Sequence, residues 1–175
     1  MQQGGYNWGM AAPLQTSTSE AFTDAELGAW RGLLRTHAML TRELDAELEA
    51  AHGLPLVSFE VLAHLSESDD ERLRMCDLAE RVRLSRSGLT RLVDRLETAG
   101  LIERSRCSSD ARGAYAVLTP EGVERFRAAR STHLRAVRER FLGALSEEEL
   151  NLLTDIFERA IPDTGEICGQ AFEET

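Results

Sequence analysis

The sequence predicts a mainly α-helical fold that carries one small β-hairpin. Three observations predict it. Apolar residues recur every three or four positions over long stretches, Ser/Thr-x-x-Glu boxes mark helix starts, and a single pair of short strand-like runs lies past the middle of the chain. With 175 residues, 42% hydrophobic and 29% charged, the chain can bury a core as one domain or two small ones, and nothing in the composition points to wholesale disorder.

Residues 1–21, rich in Gly, Gln, Ser and Thr with Tyr6 and Trp8 as isolated aromatics, read as a flexible N-terminal arm. Thr23 and Glu26 then form a capping box, flanked by Phe22 and Leu27 as a hydrophobic staple, so a helix starts here. It runs to about His52, where Gly53 supplies a left-handed stop and Leu54 folds back. Leu27, Trp30, Leu34, Leu44 and Leu48 line one side, with His37 and Thr41 in the same stripe. A helix of about 29 residues extends roughly 43 Å. That exceeds what one small domain covers, so the stripe of residues 22–54 calls for a partner.

Elements in residues 55–118 are shorter. "PLVSFEVLAHLSES" reads as a helix of about ten residues, "CDLAERV" as a second, and Ser85 caps a third that ends at Gly100. Cys76 stands where Ser or Thr would cap the second helix; thiols cap poorly, which leaves Asp77 as a substitute. Two short helices joined by the tight "RVRLS" turn match a helix-turn-helix. "LIERSRC" and "AYAVLT", separated by the polar "SSDARG", then read as a hairpin, and the combination is a winged helix.

In residues 119–162 helices return. Thr119 caps and Pro120 opens a helix to about Leu145, lined by Val123, Phe126, Leu134, Val137 and Phe141. A capping box from Ser146 to Glu149 starts the last helix, lined by Leu150, Leu153, Ile156, Phe157 and Ala160 and closed by Pro162. Residues 163–175 form a tail. The unpaired stripes at the two ends of the chain fit dimerisation, with an intramolecular bundle as the competing arrangement.

Charge is segmental. The chain carries a formal −10, yet residues 72–112 hold ten arginines against six acids, a local +4; at a Debye length of roughly 8–10 Å the local balance decides. Leu89, Leu92, Val93 and Leu96 fall at i, i+3, i+4 and i+7 and define a buried face of the third short helix, so Arg86, Ser87, Thr90, Arg91 and Arg95 occupy the other. Such a donor-rich face suits an anionic polymer. A solvated helix surface is the bland alternative.

Other function classes find little material. No run of 18 apolar residues and no basic leader occur, which predicts a cytoplasmic protein with no membrane partner. Cys76, Cys107 and Cys168 are odd in number, widely spaced and read as free thiols. His37, His52, His64 and His133 lack metal-ligand spacing, and no Gly-rich phosphate loop or nucleophile elbow appears, so no metal, no cofactor and no enzymatic activity are expected. All 20 basic side chains are arginine. Codon bias explains this better than phosphate binding, although Arg also binds phosphate and guanine as a planar fork.

Residues 23–161 resemble the MarR family of bacterial transcription regulators. The likeness rests on Asp110-Ala111-Arg112 followed by "GAYAVLTPEG", with Leu118, Thr119 and Gly122, and on "LSRSGLTRLVDRLETAGLIER" as a recognition helix running into a wing strand. The resemblance implies a homodimer whose terminal helices interlock and place two winged domains on a pseudo-palindromic duplex, most simply a repressor released by a small molecule. It assigns Ser85, Arg86, Ser87, Thr90 and Arg91 to base edges or phosphates in the major groove. Arg112 enters the minor groove, held by Asp110 or else paired with it in a plain turn, and Arg95, Arg104 and Arg106 contact phosphates. A small aromatic effector would lie in a cleft lined by Trp30, Arg31, His37 and His64, each of which also has an ordinary structural reading. Cys107, beside Arg106, is either a redox switch or a small residue filling the hairpin base. A thiol-based redox sensor on the same scaffold and a winged-helix protein-interaction module without DNA binding stay open as rivals.

Overall fold

The structure is a computed structural model in which residues 21–106 and 114–160 are described. Six helices and three strands follow one another as α1 (Asp24–His52), α2 (Leu56–Ser66), β1 (Arg72–Arg74), α3 (Met75–Arg81), α4 (Arg86–Thr98), β2 (Ile102–Arg106), β3 (Ala114–Leu118), α5 (Pro120–Arg140) and α6 (Glu147–Ala160). The mainly helical winged fold expected from the sequence is therefore present. The chain divides into two compact units within α1, between Thr36 and His37.

The first unit contains the start of α1. Its capping box is formed as expected: the Thr23 amide donates to Glu26 Oε2 at 2.7 Å and the Glu26 amide to Thr23 Oγ1 at 3.3 Å. Phe22, Trp30, Leu33 and Leu34 are all about half exposed or more.

The second unit is built around α2. This helix is apolar on nearly every side, and such a helix belongs in a core: Phe59, Val61, Leu62 and Leu65 are all buried. Leu44 and Leu48 from α1, Leu78 from α3, the four apolar residues of α4, and Phe126, Ala129 and Ala136 from α5 complete the cluster. Helix ends find partners. Asp45 Oδ1 accepts from the Leu56 amide at 2.8 Å and so starts α2, whose N-cap Pro55 has no side-chain donor or acceptor. Gly53 turns out of α1 at φ +59, and Arg125 Nη1 donates to the His52 carbonyl at 2.9 Å. His52 Nε2 lies 2.8 Å from Thr132 Oγ1, and Glu47 takes ion pairs from Arg135 and Arg140, so α1 is stitched to α5 along its second half.

Three details differ from the sequence reading. The hairpin belongs to a three-stranded antiparallel sheet of order β1-β3-β2, because Arg72–Arg74 pairs with β3 in the register Arg72↔Val117 and Arg74↔Tyr115. A three-residue strand with one inward apolar side chain, Leu73, leaves almost no periodic trace. Asp77 does not take over as cap from Cys76: α3 starts at Met75 with Arg74 as N-cap and no capping side chain, and Asp77 Oδ1 instead accepts from the Cys76 thiol at 3.1 Å. Finally, α5 stops at Arg140 rather than near Leu145. Phe141 leaves helical space at φ −133, and Leu142–Ala144 forms a single 3-10 turn in which a Cβ on Gly143 would lie 2.9 Å from the Arg138 carbonyl.

The junction of wing and α5 is tight. Thr119 Oγ1 caps α5 by accepting from the Gly122 amide at 3.0 Å, and its own hydroxyl donates to the Gly100 carbonyl at 2.7 Å. A Cβ on Gly122 would sit 2.0 Å from the Leu101 carbonyl oxygen, which is backbone and cannot step aside. Gly122→Ala is accordingly expected to lower unfolding stability by at least about 2 kcal/mol, read from the midpoint of chemical denaturation.

Two histidines are desolvated. His133 stacks on Phe59 with ring centroids 4.6 Å apart, its Nδ1 buried without a hydrogen-bond partner, and burial pushes it below its ordinary value of 6.5. Burial pushes His64 the same way, against the opposing pull of Glu67. The unfolded chain therefore takes up these protons first as pH falls through 6.5. Stability should be full above that value and decline below it, by at most about 1.4 kcal/mol per pH unit for each proton difference. Thermal melts between about pH 7.5 and 5.5 check this, and His133→Phe should flatten the profile.

Candidate nucleic-acid interface

The candidate interface begins at the turn between α3 and α4. The Arg83 amide donates to the Glu80 carbonyl at 3.1 Å and the Leu84 amide to Ala79 at 3.0 Å, a reversal that puts Arg83 in the left-handed region at φ +52. Ser85 then caps α4, its Oγ accepting from the Gly88 amide at 3.1 Å, as the sequence predicts. Gly88 has a local reason: a Cβ there would lie 3.1 Å from that capping hydroxyl.

Burial fixes which way α4 faces. Leu89 and Leu92 are 1% exposed, Val93 0% and Leu96 4%. At roughly 2 kcal/mol per buried aliphatic side chain, four anchors on one side leave no freedom to roll the helix. Arg86, Ser87, Thr90, Arg91 and Arg95 are exposed on the rest of its surface, joined at the N-terminal end by Ser85. The hydroxyls are oriented locally: Thr90 Oγ1 donates to the Arg86 carbonyl at 2.8 Å, and Ser85 and Ser87 Oγ are 3.3 Å apart. Arg91 Nε donates to the Ser87 carbonyl at 3.3 Å, which aligns the side chain along the helix. Among the described residues, Arg86, Arg91 and Arg95 enter no ion pair. Three cations outside any ion pair can take up phosphates without first breaking an internal one.

Arg104 behaves differently. On β2 it points back at α4, with Nη1 donating to Glu97 Oε2 at 2.7 Å and Nη2 to Asp94 Oδ1 at 2.6 Å. Sequence reasoning counted Asp94 and Glu97 only as neutralising charge. They share the Thr90 side of α4 at i+4 and i+7, a helical spacing that marks them as a stripe, but the strand register that brings Arg104 onto it is invisible in the sequence.

The wing's stem is β2 paired with β3, ending at Arg106↔Ala114. Arg106 closes β2; Cys107, Asp110 and Arg112, assigned to the wing from sequence, lie outside the described residues. On the outer face of the sheet, which the sequence reading passed over, Arg72 and Arg74 lie 5.5 and 5.8 Å from the Tyr115 ring centroid.

The effector candidates are spread along two helices. Trp30 and Arg31 are exposed in the first unit, His37 is exposed on α1 in the second, and His64 is mostly buried near the end of α2 with Nδ1 3.9 Å from Glu67. Among the described residues no group of three His, Cys, Asp or Glu side chains could hold a metal, and no helix is long and apolar enough to cross a membrane.

A helix-turn-helix whose second helix turns a cationic, hydroxyl-rich side outward, followed by a two-stranded wing, defines a winged helix-turn-helix protein. The sequence model of the MarR family matches residues 52–113. AbsC, a MarR family transcriptional regulator from Streptomyces coelicolor, is 37% identical with a TM-score of 0.78 over 82% of this chain and 97% of AbsC. Sco3205, a MarR family transcriptional regulator from the same organism solved in complex with DNA, is 34% identical with a TM-score of 0.78 over 83% of this chain and 95% of Sco3205. The HTH-type transcriptional repressor YetL of Bacillus subtilis is 30% identical over 113 residues, 63% of this chain and 68% of YetL. The chain belongs to the MarR family and is a transcriptional regulator.

The strained turn gives a local test. A left-handed conformation costs an L-residue roughly 1–2 kcal/mol, against about 0.5–1 kcal/mol of extra chain entropy for glycine. Arg83→Gly is expected to leave stability unchanged or raise it by up to about 1 kcal/mol, and Arg83→Val to lower it by at least as much; urea denaturation compares the two.

Proposed function

We propose that the protein is a repressor that binds a pseudo-palindromic duplex as a homodimer and is released by a small, aromatic ligand. The observation that carries the DNA reading is the α4 face itself: Arg86, Arg91 and Arg95 exposed and outside any internal ion pair, beside Ser85, Ser87 and Thr90, on a helix anchored by four buried apolar residues. An α-helix fits the major groove, and residues near its N-terminus reach base edges and phosphates. The solved complex of Sco3205 with DNA supports the reading.

Dimerisation rests on apolar side chains that remain exposed within each unit. Trp30, Leu33 and Leu34 are 51%, 49% and 49% exposed, and on α6 Leu152 and Ile156 are 56% and 40% exposed; a second copy would cover them. The repressor assignment follows YetL, a repressor by name. Arg112, steadied by Asp110, is the minor-groove finger, Arg95 and Arg106 are backbone contacts, and Trp30, Arg31, His37 and His64 are the ligand candidates. Cys107 as a redox switch is the second reading, carried by its position next to Arg106.

The test uses the full chain and a duplex selected by it from a random-sequence library. Log K should fall linearly with log salt, and Arg86→Ala or Arg91→Ala should shallow the slope by about 0.9 for each phosphate contact removed, while Arg112→Ala should cost about 1–3 kcal/mol. Light scattering should give twice the chain mass, and a panel of aromatic acids should release the duplex. A flat salt response would favour the protein-interaction module; loss of binding after peroxide that Cys107→Ser prevents would favour the redox sensor.

A further inference from the structure

The Arg104 guanidinium is held by two carboxylates at close range. Nη2 reaches Asp94 Oδ1 at 2.6 Å and the Thr90 carbonyl at 3.3 Å, Nη1 reaches Glu97 Oε2 at 2.7 Å, and the Arg104 backbone amide donates to Glu97 Oε1 at 3.2 Å. The guanidinium therefore lies along three successive positions on one side of α4, from Thr90 in the middle of the helix to Glu97 in its last turn. Its side chain is only 29% exposed. β2 is an edge strand in the order β1-β3-β2, so the amide given to Glu97 is one that no neighbouring strand could have taken.

We propose that Arg104 is a positioning residue that clamps the stem of the wing to the recognition helix, and does not contact phosphate. The inference rests on the DNA-binding reading above and replaces the phosphate role given to Arg104 from sequence. A guanidinium whose fork already serves two carboxylates would have to give up charge-assisted bonds to reach a phosphate. What the clamp fixes is the offset between Thr90, on the reading face, and the wing that continues from β2. A duplex with the correct bases is recognised only if helix and wing arrive in register with their two grooves, so the clamp acts on discrimination between sequences.

Removing the carboxylates separates charge from position, because the two predict opposite signs. Asp94→Asn with Glu97→Gln takes two negative charges away from the phosphates, which by electrostatics alone strengthens binding to any duplex. The clamp predicts instead that the affinity ratio between the selected duplex and a scrambled duplex of equal composition falls, by about tenfold. Arg104→Ala should lower the same ratio while leaving the slope of log K against log salt unchanged, and Arg104→Lys, which can serve one carboxylate, should restore part of it. A slope shallower by about 0.9 in Arg104→Ala with the ratio intact would make Arg104 a phosphate contact and overturn the proposal; an unchanged ratio in the double variant would also overturn it. Should Arg104→Ala fail to fold, the double variant decides alone. Deuterium exchange without DNA keeps the clamp separate from the DNA reading: peptides covering 90–104 should exchange faster in Glu97→Gln than in wild type, and unaltered exchange would sink the clamp whatever the protein binds.

Discussion

Everything in the winged unit depends on the burial of one side of α4. Four side chains, Leu89, Leu92, Val93 and Leu96, lock into a cluster supplied by α2, α3 and the sheet, and that contact sets the rotation of the helix about its axis. The cationic side points outward as a consequence. No attraction among the arginines could hold them together, since like charges on adjacent turns repel; the apolar anchors do so from behind. The chain as a whole is acidic, and this geometry resolves the apparent conflict by concentrating positive charge where a screened, short-range field is felt.

The second constraint is the tie between α1 and α5. Glu47 receives Arg140 at 2.5 Å and also pairs with Arg135, and the Arg140 bond holds its carboxyl below the ordinary value of 4.5. These pairs are at the surface and individually weak. Combined with Leu44 and Leu48 in the core, and with Arg125 on the His52 carbonyl, they define one face along which the second half of α1 rides with α5. α5 is tied in turn to α2, whose Phe59 ring lies 5.4 Å from that of Phe126 and 4.6 Å from that of His133.

Much of this was legible in the sequence, for specific physical reasons. Helix starts at Thr23, Ser85, Thr119 and Ser146 were readable because capping is a local bargain between residues three positions apart. The buried side of α4 was readable because a helix repeats its spacing over three turns. Most of what escaped was set by contacts distant in sequence. β1 is too short to show alternation, and its existence depends on β3, more than 40 residues further on. The end of α5 escaped for a local reason: Phe141 leaves helical space, but the Leu142–Ala144 turn after it carries on the apolar spacing. Asp94 and Glu97 could be placed on one side of α4, but their partner Arg104 is brought to them by a strand register that no local pattern encodes.

The sheet has one further property. An exposed strand edge is an invitation for another chain to add itself. Here one margin is the three-residue β1, flanked by Arg72 and Arg74, with Arg72 paired to Asp70 at 3.0 Å. The other margin is β2, where the Arg104 amide is occupied by Glu97. Among the described residues, a three-residue margin on one border and an occupied amide in the middle of the other leave little vacant backbone, which guards the sheet against zipping onto a neighbouring molecule into fibrous aggregates.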